Sequence, residues 1–159
     1  MKLKVILPVA VLIIAFSSCK KDKCHPLNPL YDLDVPLHSE TKDTGTGLIN
    51  FRQNPDTARV ITLNTWVTKL LPNHSYQLQR AVNPITDITG CSSTAWLTLG
   101  EGLQPKSILT DAHGNGSANL WRDVTALARG TAFHIHFEVV DAATLAPILT
   151  SDCFDYTVR

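Results

Sequence analysis

The run Thr131-Ala132-Phe133-His134-Ile135-His136-Phe137-Glu138-Val139-Val140 decides the fold class, because its apolar and polar residues alternate one by one. A period of two puts Phe133, Ile135, Phe137 and Val139 on one face of a strand and His134, His136 and Glu138 on the other. The first set reads as core. Working outward, similar runs fall near 45–52, 58–69, 75–82, 95–99, 106–112, 117–122 and 148–158, separated by Gly, Pro, Asn and Asp clusters. That pattern specifies an all-β domain. His113-Gly114-Asn115-Gly116 tolerates positive φ and suits a tight hairpin. Asp123 to Gly130 reads as one helical turn, with Asp123 as cap and Gly130 as stop. In the last run Ile148, Phe154, Tyr156 and Val158 share a parity, which leaves Cys153 on the opposite face with Asp155. About eight strands between residues 44 and 159 suit two packed antiparallel sheets, since one open sheet would leave a face and two edges uncovered.

With 159 residues the chain is one domain's worth. Fourteen Lys and Arg balance fourteen Asp and Glu, so there is no basic excess to track a nucleic-acid backbone, and no nucleic-acid partner is expected. Hydrophobic residues at 44% and charged residues at 18% supply enough apolar material for a packed core.

At the N-terminus Lys2 and Lys4 precede twelve uncharged, mostly apolar residues, Val5 to Phe16. Such a stretch is too short to span a bilayer, which takes about 20 apolar residues, and reads as a signal-peptide core. It ends on Phe16-Ser17-Ser18-Cys19 followed by Lys20-Lys21-Asp22-Lys23, which resembles a bacterial lipoprotein signal of the Bacteroidetes type. Phe16 stands where Leu is usual and Ser18 where Gly or Ala is usual. The resemblance implies cleavage after residue 18, a triacylated Cys19 and anchorage in the outer membrane, with the side left open. Acyl chains contribute about 0.8 kcal/mol per buried methylene, so two or three hold firmly where one does not. Losing residues 1–18 leaves twelve basic against fourteen acidic residues, a net charge of −2. Residues 19–43, with Pro26, Pro29 and Pro36 among charges, read as the lipidated N-terminus and tether, and 44–159 as the β-sandwich domain.

Export places the chain where disulfides persist. Of Cys19, Cys24, Cys91 and Cys153, acylation removes the first, and three cannot all pair within the chain. Cys24 lies in the tether, so Cys91 and Cys153 are expected to pair.

Leu70-Leu71-Pro72-Asn73-His74-Ser75-Tyr76 carries Leu, Pro and Tyr at the spacing L-x-P-x-x-x-Y. It resembles the tyrosine corner of fibronectin type III and other immunoglobulin-like domains. The resemblance implies that Leu70, Pro72 and Tyr76 form a structural corner, the Tyr76 hydroxyl bonding back to the backbone upstream. It covers seven residues, and it comes earlier in the chain than in that family. A Greek-key sandwich is inferred, not the family's strand order.

Candidate chemistry is sparse. His134 and His136 share a strand face, a spacing that lets two imidazoles reach one metal ion if Glu138 or His113 supplies a third ligand. The corner followed by Leu109-Thr110-Asp111-Ala112-His113-Gly114 resembles copper–zinc superoxide dismutases. That family, however, places His-x-His directly after the corner, where this chain has Tyr76-Gln77-Leu78-Gln79, and its clustered zinc loop is missing. A solvated His/Glu face is the expectation, with no metal and no cofactor. Trp66 lies off the parity of Ile61, Leu63 and Val67, and Trp121 off that of Ala118 and Leu120. Both indoles therefore point outward, as a platform for a glycan or a protein partner, unless a bulge returns them to the core. No Ser/His/Asp set and no Gly-x-Ser-x-Gly elbow is present, and Asp152 and Asp155 differ in parity. The expected function is a lipid-anchored binding or structural module of the cell envelope without catalytic activity. The rival readings are a glycan-binding accessory lipoprotein and a metal-dependent enzyme.

Overall fold

The computed structural model describes residues 31–39, 45–55 and 58–159, and the signal peptide, Cys19, Cys24 and most of the expected tether lie outside these. The described residues are all-β. The strands are β1 (Asp32–His38), β2 (Thr46–Gln53), β3 (Val60–Thr68), β4 (Ser75–Pro84), the short β5 (Leu97–Thr98), β6 (Gly100–Glu101), β7 (Gln104–Pro105) and β8 (Ser107–Leu109), β9 (Gly116–Asp123), β10 (Ala132–Asp141), β11 (Pro147–Ser151) and β12 (Phe154–Thr157).

β1, β2 and β3 form an antiparallel meander, after which β3 pairs with β9 while β4 crosses over to pair with β10. β8 pairs with β4 and leads through the bridge between Thr110 and Gly116 into β9. β11 lies between β10 and β1. The principal strands thus run round in the order β1, β2, β3, β9, β8, β4, β10, β11 and back to β1. β4, β8 and β9 are sequential neighbours flanked by β10 and β3, the interlocked order of a Greek key. The two layers expected from the sequence are there, but they belong to one sheet that curls until it is nearly a barrel.

Its interior is the parity set read from the sequence. Ile135, Phe137 and Val139 of β10 are buried, with Phe133 packed at the margin. Phe51 of β2 meets Tyr156 of β12 and Phe137 edge to face at 4.9 and 6.2 Å, so three rings from opposite layers form the centre. Such pairs add about 0.5–1.5 kcal/mol beyond the area they bury.

Four expectations change. The tether does not run to residue 43, because Asp32–His38 forms β1. Leu33, Val35 and Leu37 are buried there and alternate with Asp32, Asp34, Pro36 and His38. Pro36 is tolerated because β11 reaches β1 only at Leu37 and His38, so no ladder partner on that side needs its missing N–H. The helical turn at 123–130 is instead two reverse turns, Leu127 N donating to the Val124 carbonyl and Thr131 N to that of Ala128. Asp123 still caps the first by accepting from Thr125 N, and Gly130, at φ +81°, still ends the second. The run 148–158 splits into β11 and β12 at Asp152–Cys153. That break puts Leu149, not Ile148, fully in the core. Finally, the short β6 and β7 extend the sheet beyond β9, where no strand was expected.

The corner forms as the resemblance implied. Tyr76 is buried, and its hydroxyl accepts a hydrogen bond from Leu71 N at 3.1 Å. Leu70 is buried beside it and donates its N–H to the Gly114 carbonyl of the hairpin. Pro72, exposed, sits in the turn into β4. In that hairpin Asp111 Oδ1 accepts from the amides of His113 and Asn115, and Gly114 takes φ +78° hard against the Leu70 carbonyl.

Cys91 and Cys153 are joined, with Cα atoms 5.5 Å apart across a separation of 62 residues. Closing a loop of that length stabilises by roughly 4 kcal/mol at most on the chain-entropy account. Reduction, or Cys91→Ser, is expected to lower the urea midpoint without changing the far-ultraviolet circular dichroism of the fold. An unchanged midpoint would show that the staple contributes nothing. Tyr76→Phe should destabilise by about 1 kcal/mol, the scale of one hydrogen bond, and equal stability in a chemical melt would remove the corner from the account.

Candidate functional site

The outer face of β10 carries the residues first considered for metal. Glu138 stands opposite Gln79 of β4 and Thr150 of β11, and it is buried rather than solvated. The segment after β4 covers part of the same face. Asn83, buried, donates from Nδ2 to Asp87 and Ser92 and accepts from Ser93 N, folding residues 85–96 back over the sheet. The disulfide fixes the same segment to the break between β11 and β12. His136 stacks on Trp96 with centroids 4.7 Å apart, and its Nε2 lies 3.1 Å from the Ser93 carbonyl. His134 Nδ1 bonds Asp155 Oδ1 at 2.7 Å across the β10/β12 pair. The solvated His/Glu face is therefore a covered one, and each imidazole already has a partner.

His113 does not join them, since it sits exposed in the hairpin before β9. Among the described residues no group of three His, Cys, Asp or Glu is placed to hold a metal ion. His74 Nε2 instead meets Asp141 Oδ2 at 2.5 Å near the corner. The amide of Thr144, His74 and the amide of Ala143 together hold the Asp141 carboxyl well below the usual carboxylate range.

The outer face of β2, β3 and β9 is different in kind. Trp66 and Trp121 are 42% and 41% exposed, so no bulge returns them to the core. In register Trp66 faces Leu48 on β2 and Ser117 on β9, while Trp121 faces Thr62. Four residues of strand separate the two indoles, about 13 Å at 3.2–3.4 Å per residue. Between them lies a row of amides, Asn50, Asn64 and Asn119, paired directly across the three strands. Asn50 Nδ2 donates to Asp34 of β1 at 2.7 Å, which orients it. Trp121 rests its six-membered ring on Gly102, where a Cβ would come within 2.8 Å of it, and Gly102 N donates to the Trp121 carbonyl. The amide row escaped the sequence reading because surface asparagines are common; its signal was that Asn64 and Asn119 share the outward parity of the two tryptophans.

No family model, curated protein or solved structure matches the chain.

Burial alone raises the Glu138 carboxyl above the ordinary carboxylate value. The unfolded chain then binds fewer protons than the folded one between the two values, so stability falls as pH rises through that window and stays lower above it. Glu138→Gln removes the effect. The variant is expected to be more stable than the parent near pH 7 and equal to it near pH 3, read by urea unfolding at each pH. Parallel curves over that range would show that the carboxyl is not desolvated.

Proposed function

We propose that this protein is a lipid-anchored β-sandwich of the bacterial outer membrane that acts by binding a glycan, without chemistry of its own. The observation that carries the reading is the face of β2, β3 and β9, where Trp66 and Trp121 bracket the row Asn50, Asn64 and Asn119. Sugar rings present an apolar C–H face and a rim of hydroxyls. An indole held flat on a rigid sheet covers the first at small entropic cost, having only two side-chain torsions to freeze. A carboxamide answers the second, because it both donates and accepts. A separation of about 13 Å lets an extended oligosaccharide touch both rings while its hydroxyls face the amides. The anchor is Cys19, directly behind the apolar run Val5 to Phe16.

Two experiments test the two halves. Cys19→Ser should move the protein from the membrane to the soluble envelope fraction; unchanged detergent partitioning would sink the lipoprotein assignment. For the glycan, affinity electrophoresis through gels containing xylan, cellulose derivatives, starch or mannan should show retardation by at least one polymer. Trp66→Ala and Trp121→Ala should each weaken it about tenfold, the scale of 1–2 kcal/mol. Both side chains are near half exposed, so the variants should keep the parent's melting behaviour. Equal migration of parent and both variants in every gel would remove the glycan reading.

A further inference from the structure

The interior holds a feature that the glycan face does not use. At the end where β3 and β10 begin and β4 and β9 finish, a cavity of about 170 Å³ lies between the layers. Ile61, Leu63, Val82, Leu99, Phe133 and Phe137 line it with carbon. Two arginines join that lining, Arg80 of β4 and Arg122 of β9. Neither is there by loss of alternation. Arg80 shares the inward parity of Tyr76, Leu78 and Val82, and Arg122 that of Ala118, Leu120 and Val124.

Two like charges facing one apolar space are unfavourable as they stand. Half-burying a charged group without a counterion is costly, and cores normally place Leu or Val at such positions. The ion pairs among the described side chains join Arg52 to Asp34, His74 to Asp141, Lys106 to Glu101 and His134 to Asp155, and none reaches Arg80 or Arg122. Arg122 Nη1 donates to the Gly102 carbonyl, 3.1 Å away, and Asp123 next to it is engaged by the Thr125 hydroxyl and amide. Arg80 is desolvated and repelled by Arg122, which makes its charged form harder to hold. Asp123 lies within electrostatic reach of Arg122 but forms no ion pair with it, and no carboxylate among the described residues pairs with Arg80.

We propose that the cavity binds a small anionic amphiphile: a carboxylate head held by Arg80 and Arg122, on an apolar body of about one aromatic ring. The head is set by the planar guanidinium fork, which matches two carboxylate oxygens at once. The size follows from the volume, since an apolar cavity of about 150 Å³ takes up benzene. The lining excludes a polar body such as a sugar, so this ligand differs from the glycan of the outer face. The two sites stand or fall separately.

Isothermal titration of the purified full-length protein with phenylacetate and with its neutral counterpart 2-phenylethanol tests the proposal. Phenylacetate should bind at least tenfold more tightly than 2-phenylethanol. Arg80→Met should remove that preference, weakening phenylacetate at least tenfold and leaving 2-phenylethanol equal or tighter. The same variant should melt at or above the parent in the absence of ligand, because it relieves a like-charge contact. Arg122→Met should lower the preference in the same direction, and Trp66→Ala should leave it untouched. Absence of saturable phenylacetate binding, or equal affinity in the parent and both arginine variants, would overturn the proposal.

Discussion

The three residues of β8 hold this architecture closed. A sheet in which β1 to β3 and β9 form one wall and β4, β10 and β11 the other has two free edges unless something joins β9 to β4. Unpaired edges invite association with other chains. β8 pairs with β4 along Ser107 to Leu109 and passes into β9 through the Thr110–Gly116 bridge, with Ile108 wholly buried between the walls. So short a strand cannot hold its place by its own ladder. Its neighbours hold it: Thr110 Oγ1 donates to the Leu71 carbonyl at 2.7 Å and accepts from His74 N at 3.0 Å. Tyr76 then fixes Leu71, and Gly114 abuts the Leu70 carbonyl. Corner, hairpin and closing strand are one hydrogen-bonded unit.

A second cover follows from the first. Once the sheet has curled, the outer face of β10 would be exposed along its length, with Val140 and Glu138 upon it. Residues 85–96 lie over that face, and Asn83 and the Cys91–Cys153 bond keep them there. Trp96 against His136 is the aromatic contact that this cover makes with the sheet, beside the bonds of His136 and Asn83 to the same segment. An arrangement that looks like a metal-binding pair in the alternation is thereby used for packing. A bonded, stacked imidazole must give up those contacts before it can ligate anything.

How much could be read beforehand follows from the range over which each signal acts. Period two is local, so the inward sets of β3, β4, β9 and β10 were legible, as was the corner, whose partners are five residues apart. β1 was legible too, in Leu33, Val35 and Leu37, but Pro36 and the acidic neighbours masked it. Proline forbids only a ladder position that needs its N–H. The cover on His136 was not legible, because it depends on a loop without periodicity brought back over some 40 residues. Arg80 stands between these cases. Its inward parity was legible within the run 75–82, but period two does not show that a charged residue there faces an apolar cavity rather than the solvent at the rim of the sheet.

The two ends of the sandwich are built differently, and that asymmetry bears on where the protein can bind. At the corner end the polar groups of Tyr76, Thr110, Asp111, His74 and Asp141 answer one another. At the other end Gln53 is fully buried with Oε1 accepting from the Tyr156 hydroxyl and Arg159 N, yet its Nε2 has no partner among the described residues. Arg59 Nε, close by, is in the same condition. Unsatisfied donors, a void and like charges would each be removed by selection for stability alone, and here they gather at one place. Tyr31 also enters at this end, its carbonyl accepting from Gln53 N and its ring lying 4.8 Å under the Arg159 guanidinium. Twelve residues separate Tyr31 from Cys19, a reach of about 40 Å at full extension. If Cys19 is acylated as proposed, the chain from the anchor enters the domain beside Tyr31, at the arginine-lined end. The indole face lies along the flank of β2, β3 and β9, on the outer side of the sheet from the cavity, so a ligand there and one in the cavity do not compete for the same surface.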